Sequence, residues 1–209
     1  MSTKHRTLPA LEEDYQVLSD TVREFADEVV APVSAELDAK HEFPYEIVAQ
    51  MGEMGLFGLP FPEEYGGMGG DYFALALALE QLGRVNQSVA ITLEAGVSLG
   101  AMPLLKFGTE GFSVAKAYDK VGWNSSDTHA LHFSDVRVPE ENLLGARGRG
   151  FAHFLEILDE GRIAIAALAT GAAQGCVDES VAYAKQRTSF GQKIGPFQAV
   201  SEEFQPTLS

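Results

Sequence analysis

The run from Arg149 to Arg187 constrains this chain more than any other stretch. Phe151, Phe154, Leu155, Leu158, Ile163, Ile165, Leu168, Val177, Val181 and Tyr183 recur through it at helical spacing. Small residues punctuate the pattern, among them Ala164, Ala166, Ala169, Gly171, Ala173 and Gly175. A face this small lets a second helix approach closely or leaves room for a flat ligand, and tight helix packing is the ordinary reading. A break is expected near Asp159-Glu160-Gly161, because glycine costs about 1 kcal/mol in a helix interior. A chain organised around such a segment is mainly α.

The first hundred residues have the same character. Leu11, Tyr15, Leu18, Val22, Phe25 and Val29 stripe one face of an opening helix that Pro32 is expected to stop or kink. A short helix follows from Tyr45 to Met54, with Pro44 suited to its first turn and Ile47, Val48, Met51 and Met54 inward. The glycines and prolines between Gly55 and Gly70 spell a loop. Asp71 caps a buried helix from Tyr72 to Leu82, stopped by Gly83, and a fourth helix runs from Ser88 to Lys106. Beyond Glu110 the pattern turns to strands. Phe112 to Ala115 is one, and Leu131 to Pro139 alternates with the period of a half-buried second. Two or three strands do not make a self-sufficient sheet. The expected class is therefore α+β, mainly α. Its expected divisions are an N-terminal helical domain over 1–110, a partial β-domain over 111–147 and a helical segment over 148–209.

Composition excludes several functions. The 209 residues carry 15 basic and 30 acidic side chains, a net charge of −15, and no basic stripe suited to phosphates, so nucleic-acid binding is disfavoured. One cysteine, Cys176, rules out an intramolecular disulfide and a Cys-rich zinc site. The first thirty residues are charged and lack a signal-peptide core, and no apolar run is long enough to span a bilayer, so a cytoplasmic protein is expected. The five histidines show no metal-ligand spacing.

Two constellations carry chemistry. Arg162 lies in the apolar run Arg162-Ile163-Ala164-Ile165, where a buried guanidinium requires an anionic partner. Asp159 or Glu160 is the ordinary candidate and a bound anion the functional one. Arg187-Thr188-Ser189-Phe190-Gly191 closes the long helix with a guanidinium, two hydroxyls and a phenyl ring. Such a corner can hold a diphosphate with Phe190 against a planar ring, or it can be a plain helix C-terminus with an arginine on the dipole. Gln198 follows eight residues after Phe190.

Motifs in register point further. Met51-Gly52-Glu53-Met54-Gly55-Leu56-Phe57-Gly58-Leu59-Pro60, Pro62-Glu63-Glu64-Tyr65-Gly66-Gly67 and Leu99-Gly100-Ala101-Met102-Pro103 form one block. Val138-Pro139-Glu140-Glu141-Asn142-Leu143-Leu144-Gly145, Asp159-Glu160-Gly161-Arg162 and Tyr183-Ala184-Lys185-Gln186-Arg187-Thr188-Ser189-Phe190-Gly191 form another. Together they resemble the acyl-CoA dehydrogenases of the short- and medium-chain type. The resemblance implies a helical domain, a β-domain and a C-terminal helical bundle, FAD as cofactor, and an assembly of several subunits. It implies α,β-dehydrogenation of an acyl-CoA thioester in fatty-acid metabolism: a Glu carboxylate takes the α-proton, the flavin takes the β-hydride, and an electron-transfer flavoprotein takes the electrons. By the same resemblance Arg187, Ser189, Phe190 and Gln198 touch FAD, the first three across a subunit interface. Asp159 and Arg162 lie near the thioester, and the helix carrying Glu94 and Leu99 lines the acyl pocket.

The departures are equally specific. In full members several dozen residues separate the Phe-Gly-Thr-Glu stretch from the strand that follows, and they carry motifs that hold the flavin ring and the thioester. Here Glu110 runs directly into Gly111-Phe112. After Val200 the chain ends in a stretch unlike the family's continuation, where the usual catalytic Glu lies, and the alternative base position is Gly161. No catalytic residue is therefore assigned. The expectation is an acyl-CoA dehydrogenase homologue with an internal deletion and a truncated C-terminus, in a homo-oligomer or mixed oligomer, with its own turnover left open. The alternatives are a silent remnant that binds acyl-CoA or a paralogous subunit, and a gene-model artefact.

Overall fold

The computed structural model describes residues 11–98, 112–126, 128–137, 139–140, 143 and 145–201. Helix α1 (Glu13–Phe25) passes through a π-helical turn (Ala26–Val30) into α2 (Ala31–Lys40). Pro32 therefore does not end the helix. It sits in the first turn of α2, where its missing N–H costs little, and the π turn before it absorbs the change of register. His41, at φ 54°, closes α2 in the left-handed conformation. Helix α3 (Tyr45–Glu53) follows with Pro44 as its N-cap, and the glycine-rich stretch after it holds only two short 3₁₀ turns, Leu56–Gly58 and Glu63–Tyr65.

Helix α4 (Tyr72–Val85) is the centre of the molecule. Asp71 caps it as expected, accepting from the Ala74 N–H at 2.9 Å. Gly83 does not stop it; the helix runs on to Val85. The glycine is there because a Cβ at 83 would stand 2.7 Å from the Leu168 carbonyl oxygen of the long helix. Asn86 ends α4 and starts α5 (Gln87–Ser98), its Oδ1 accepting from the N–H groups of Ser88 at 2.9 Å and Val89 at 3.1 Å. The remainder of the expected fourth helix, 99–106, lies outside the described residues.

Helix α6 (Gly150–Gln186) is continuous for 37 residues. The expected break at Gly161 is absent, since packing against α4 and α5 offsets the small propensity cost of one glycine. The small residues serve close helix packing. A Cβ at Gly171 would overlap the Glu80 carbonyl oxygen, and one at Gly175 would overlap that of Arg84. These glycines let α6 lie almost backbone to backbone on α4. The main core reflects this, joining Val22, Phe25 and Val30, Met51, Leu75, Leu79 and Leu82, and Val89 and Leu93 to Ala164 and Leu168 of α6.

The sheet elements are small. Strand β1 (Phe112–Val114) pairs antiparallel with β2 (Leu131–Phe133), Phe112 opposite Phe133. The expected half-buried strand over 131–139 is shorter, and all three residues of β2 are exposed, as on a ribbon that no element among the described residues covers. A second antiparallel pair, β3 (Thr188–Ser189) and β4 (Gln192–Lys193), forms a hairpin directly after α6. The architecture is thus mainly helical with little strand. None of the described helices is long and apolar enough to cross a membrane.

Candidate functional site

The N-terminal half of α6 and the face of α5 bring three of the candidate residues together. Asp159 and Arg162 are one helical turn apart, and Arg162 Nη1 donates to Asp159 Oδ1 at 2.8 Å. The guanidinium is not buried, as the apolar run suggested. Its side chain is 80% exposed, because Arg162 faces away from α4 while Ala164 and Leu168 face toward it. The need for a partner is met by Asp159. On α5, Glu94 is only 6% exposed. Its Oε1 lies 3.4 Å from where a Cβ on Gly161 would stand, ordinary contact distance, which puts this carboxylate beside α6 at position 161. Leu99 lies outside the described residues.

The second group forms at the other end of α6. Arg187 leaves the helix, its N–H donating to the Tyr183 carbonyl at 2.8 Å while its own carbonyl accepts from Ile194 N–H at 2.9 Å. Lys193 Nζ donates to the last helical carbonyl, Gln186, at 2.8 Å. The hairpin tip is Phe190-Gly191, at φ 51° and 81°. Two left-handed residues are what a two-residue hairpin turn of type I′ requires. Phe190 is 95% exposed and meets Phe197 edge-on, ring centroids 6.2 Å apart. Through Phe197 the neighbouring Gln198 stands beside the tip. Arg187, Ser189, Phe190 and Gln198 therefore gather at one corner.

The two groups do not meet. They sit on one continuous helix, and 25 residues at the α-helical rise separate Arg162 from Arg187 by roughly 38 Å.

Two further features carry polar groups that sequence reading passed over. Arg84 is nearly buried, paired with Asp27 and within 4.0 Å of Asp178. It lines a cleft of about 480 Å³ with Gly175, Cys176 and Glu179. An arginine just after the buried glycine of an apolar helix was the available signal. The turn from Lys116 to Thr128 encloses a smaller cavity of about 230 Å³ with His41. Trp123 Nε1 donates to Gln87 Oε1 at 3.1 Å and ties that turn to α5.

Two family models match this chain, the acyl-CoA dehydrogenase N-terminal domain over residues 12–112 and the acyl-CoA dehydrogenase C-terminal domain over 148–207. A probable acyl-CoA dehydrogenase of Bacillus subtilis is 34% identical over 278 residues, covering 91% of this chain and 73% of that protein. The short-chain-specific acyl-CoA dehydrogenase of Clostridium acetobutylicum is 29% identical with the same coverage. Among solved structures, butyryl-CoA dehydrogenase from Megasphaera elsdenii superposes with a TM-score of 0.86 at 27% identity, over 96% of this chain and 76% of that one. A chain from work on the electron transferring flavoprotein of Acidaminococcus fermentans gives 0.87 at 31% identity, with the same coverage. The alignment to the Bacillus protein, 278 residues long, is longer than the 209-residue chain itself. The relative therefore carries a segment that has no counterpart here.

Members of this family are FAD-dependent oxidoreductases acting on CH–CH groups of acyl-CoA. The described residues at 187–198 do not by themselves enclose a site for the whole of that cofactor. Arg187, Phe190 and Gln198 are all exposed, and none of them lines either described cavity. A cradle for a flavin ring needs walls on both faces, and among the described residues this corner lies outside both described cavities. The matched domains, the identity to full-length relatives and the shared fold agree: this chain belongs to the acyl-CoA dehydrogenase family.

Proposed function

We propose that this chain is an acyl-CoA dehydrogenase homologue that contributes to two separate ligand sites and completes neither by itself. The observation that carries this reading is the unbroken α6. A thioester and a flavin that react must lie in contact. Residues at 159–162 and at 187–190, about 38 Å apart on a rigid helix, cannot both serve one such meeting point. Glu94, Leu99, Asp159 and Arg162 accordingly belong to the acyl-CoA end of one site. Arg187, Ser189, Phe190 and Gln198 reach toward FAD held by another subunit, with the guanidinium suited to the diphosphate and the phenyl to a planar ring. The reaction class is α,β-dehydrogenation of an acyl-CoA thioester, with turnover depending on groups supplied by another chain. Assembly with such a subunit, an electron-transfer flavoprotein as acceptor and a cytoplasmic setting complete the reading. The three-part division at 1–110, 111–147 and 148–209 belongs to it too.

The test is flavin retention. The purified chain alone should be colourless. Co-expressed with a full-length family member it should join a yellow complex that bleaches on addition of an acyl-CoA. Arg187→Ala should lower FAD retention in that complex about tenfold, the size expected for losing one charge-assisted contact. Stoichiometric FAD on this chain alone, reduced by acyl-CoA, would overturn the proposal.

A further inference from the structure

Among the described residues a single buried side chain ionises at ordinary pH, and no chemical step has yet been assigned to it. Glu94 of α5 is 6% exposed; the other buried polar side chains are Ser19, Gln81, Ser88 and Ser125. Leu93, just before it, belongs to the core with Val89, Ala90 and Val97. One residue further is a rotation of about 100°, which carries Glu94 out of the core and toward α6. Its Oε1 stands 3.4 Å from the place of a Cβ on Gly161. Position 161 lies between Asp159 and Arg162, so a shielded carboxylate sits against the same helical turn as the exposed ion pair.

We infer that Glu94 is the base that takes the α-proton of the acyl-CoA thioester. The inference deepens the function proposed above and rests on its placing of the acyl-CoA end at the 159–162 turn. Dehydrogenation of a CH–CH unit beside a thioester starts at the α-carbon, whose proton the adjoining carbonyl makes acidic and which needs a positioned acceptor. The neighbouring carboxylates suit that task poorly. The Asp159 side chain is 72% exposed and commits one oxygen to Arg162 at 2.8 Å, and Glu156 is exposed. Water bound to such groups competes with a carbon acid for their lone pairs, and burial removes most of that competition at Glu94. In the step itself the α C–H bond breaks and the proton passes to a Glu94 oxygen. The electron pair moves into the α,β double bond as the β-carbon gives up hydride to the FAD of the family's reaction. The Glu94 carboxyl later returns its proton to solvent.

Hydrogen exchange at the α-carbon tests this on the full chain without flavin. Butyryl-CoA is incubated with the chain in heavy water and α-deuteration is read by mass spectrometry, since a proton taken by the base is replaced from solvent. The native chain should speed α-deuteration over buffer. Glu94→Gln fills the same space and cannot accept the proton; it should lower the rate about a hundredfold, with butyryl-CoA affinity and melting temperature unchanged. Glu94→Asp keeps the charge and withdraws it by one methylene, so its rate should fall between the two. Exchange by the native chain no faster than by Glu94→Gln, with butyryl-CoA bound or not, overturns the inference and leaves the colour test of the mixed complex standing. So does a pair of variants that lose exchange only together with cooperative melting, the mark of a packing role alone.

Discussion

Phe190 holds a left-handed backbone, at φ 51°, at the tip of a two-residue hairpin where asparagine or glycine is the usual occupant. A bulky residue there is strained, and among the described residues its ring meets Phe197 edge-on. Strain kept at an exposed tip is accounted for by something the ring touches. Phe190→Asn should therefore raise the stability of the chain by up to ~1 kcal/mol in denaturant melts, while removing the FAD contribution of this corner in the mixed complex. Asp71 gives a second prediction. The Ala74 N–H and then the Tyr15 hydroxyl, which donates to it at 2.8 Å, hold its carboxyl below the usual aspartate value. A lowered folded pKa stabilises the fold at every pH above the unfolded value, and that contribution fades as pH falls through the folded one. Melting temperature should thus fall below about pH 4, and Asp71→Asn, which keeps a capping oxygen, should flatten that acid limb. The Asp71 cap was legible in the sequence, because the residue precedes an apolar run. The exposure of Arg162 was not, because an apolar run does not reveal which of its faces meets the core.

Glycines decide the long helix. Gly171→Ala or Gly175→Ala places a methyl group inside the carbonyl backbone of α4 and should cost about 3 kcal/mol or more, read as a lower urea midpoint with unchanged slope. Gly161→Ala meets only the Glu94 carboxylate at 3.4 Å, an ordinary contact, and should stabilise α6 by up to ~1 kcal/mol. The opposite signs separate a packing glycine from a permissive one. Sequence periodicity marked the helix, its ends and its small face. It gave all the glycines the same weight, because the spacing of residues along one helix says nothing of how near the next backbone comes. Gly83 and Pro32 misled for the same reason: both are punctuation in an isolated helix, and both are absorbed here by a neighbour or by a π turn.

Across the molecule stability is uneven. The helical core is continuous from α1 to the middle of α6, while β1 and β2 form a two-stranded ribbon with β2 exposed along its length. Backbone amides of Leu79 and Leu82 should resist hydrogen exchange to nearly the global unfolding free energy, and those of 112–114 and 131–133 should exchange by local opening, orders of magnitude faster. Equal protection in both regions would contradict this picture. The shortage of sheet partners was already legible from the sequence, as was the family. The sharing of one core by the first and last thirds was not, because it rests on contacts more than eighty residues apart. The long rod has one more consequence. Its uninterrupted turns work as a ruler whose graduations cannot be reset by loop movement. On the assignment proposed above, a chemical event at the 159–162 end and a cofactor grip at the 187–190 end would belong to different catalytic centres, and helix length would then set how many copies a complete centre needs.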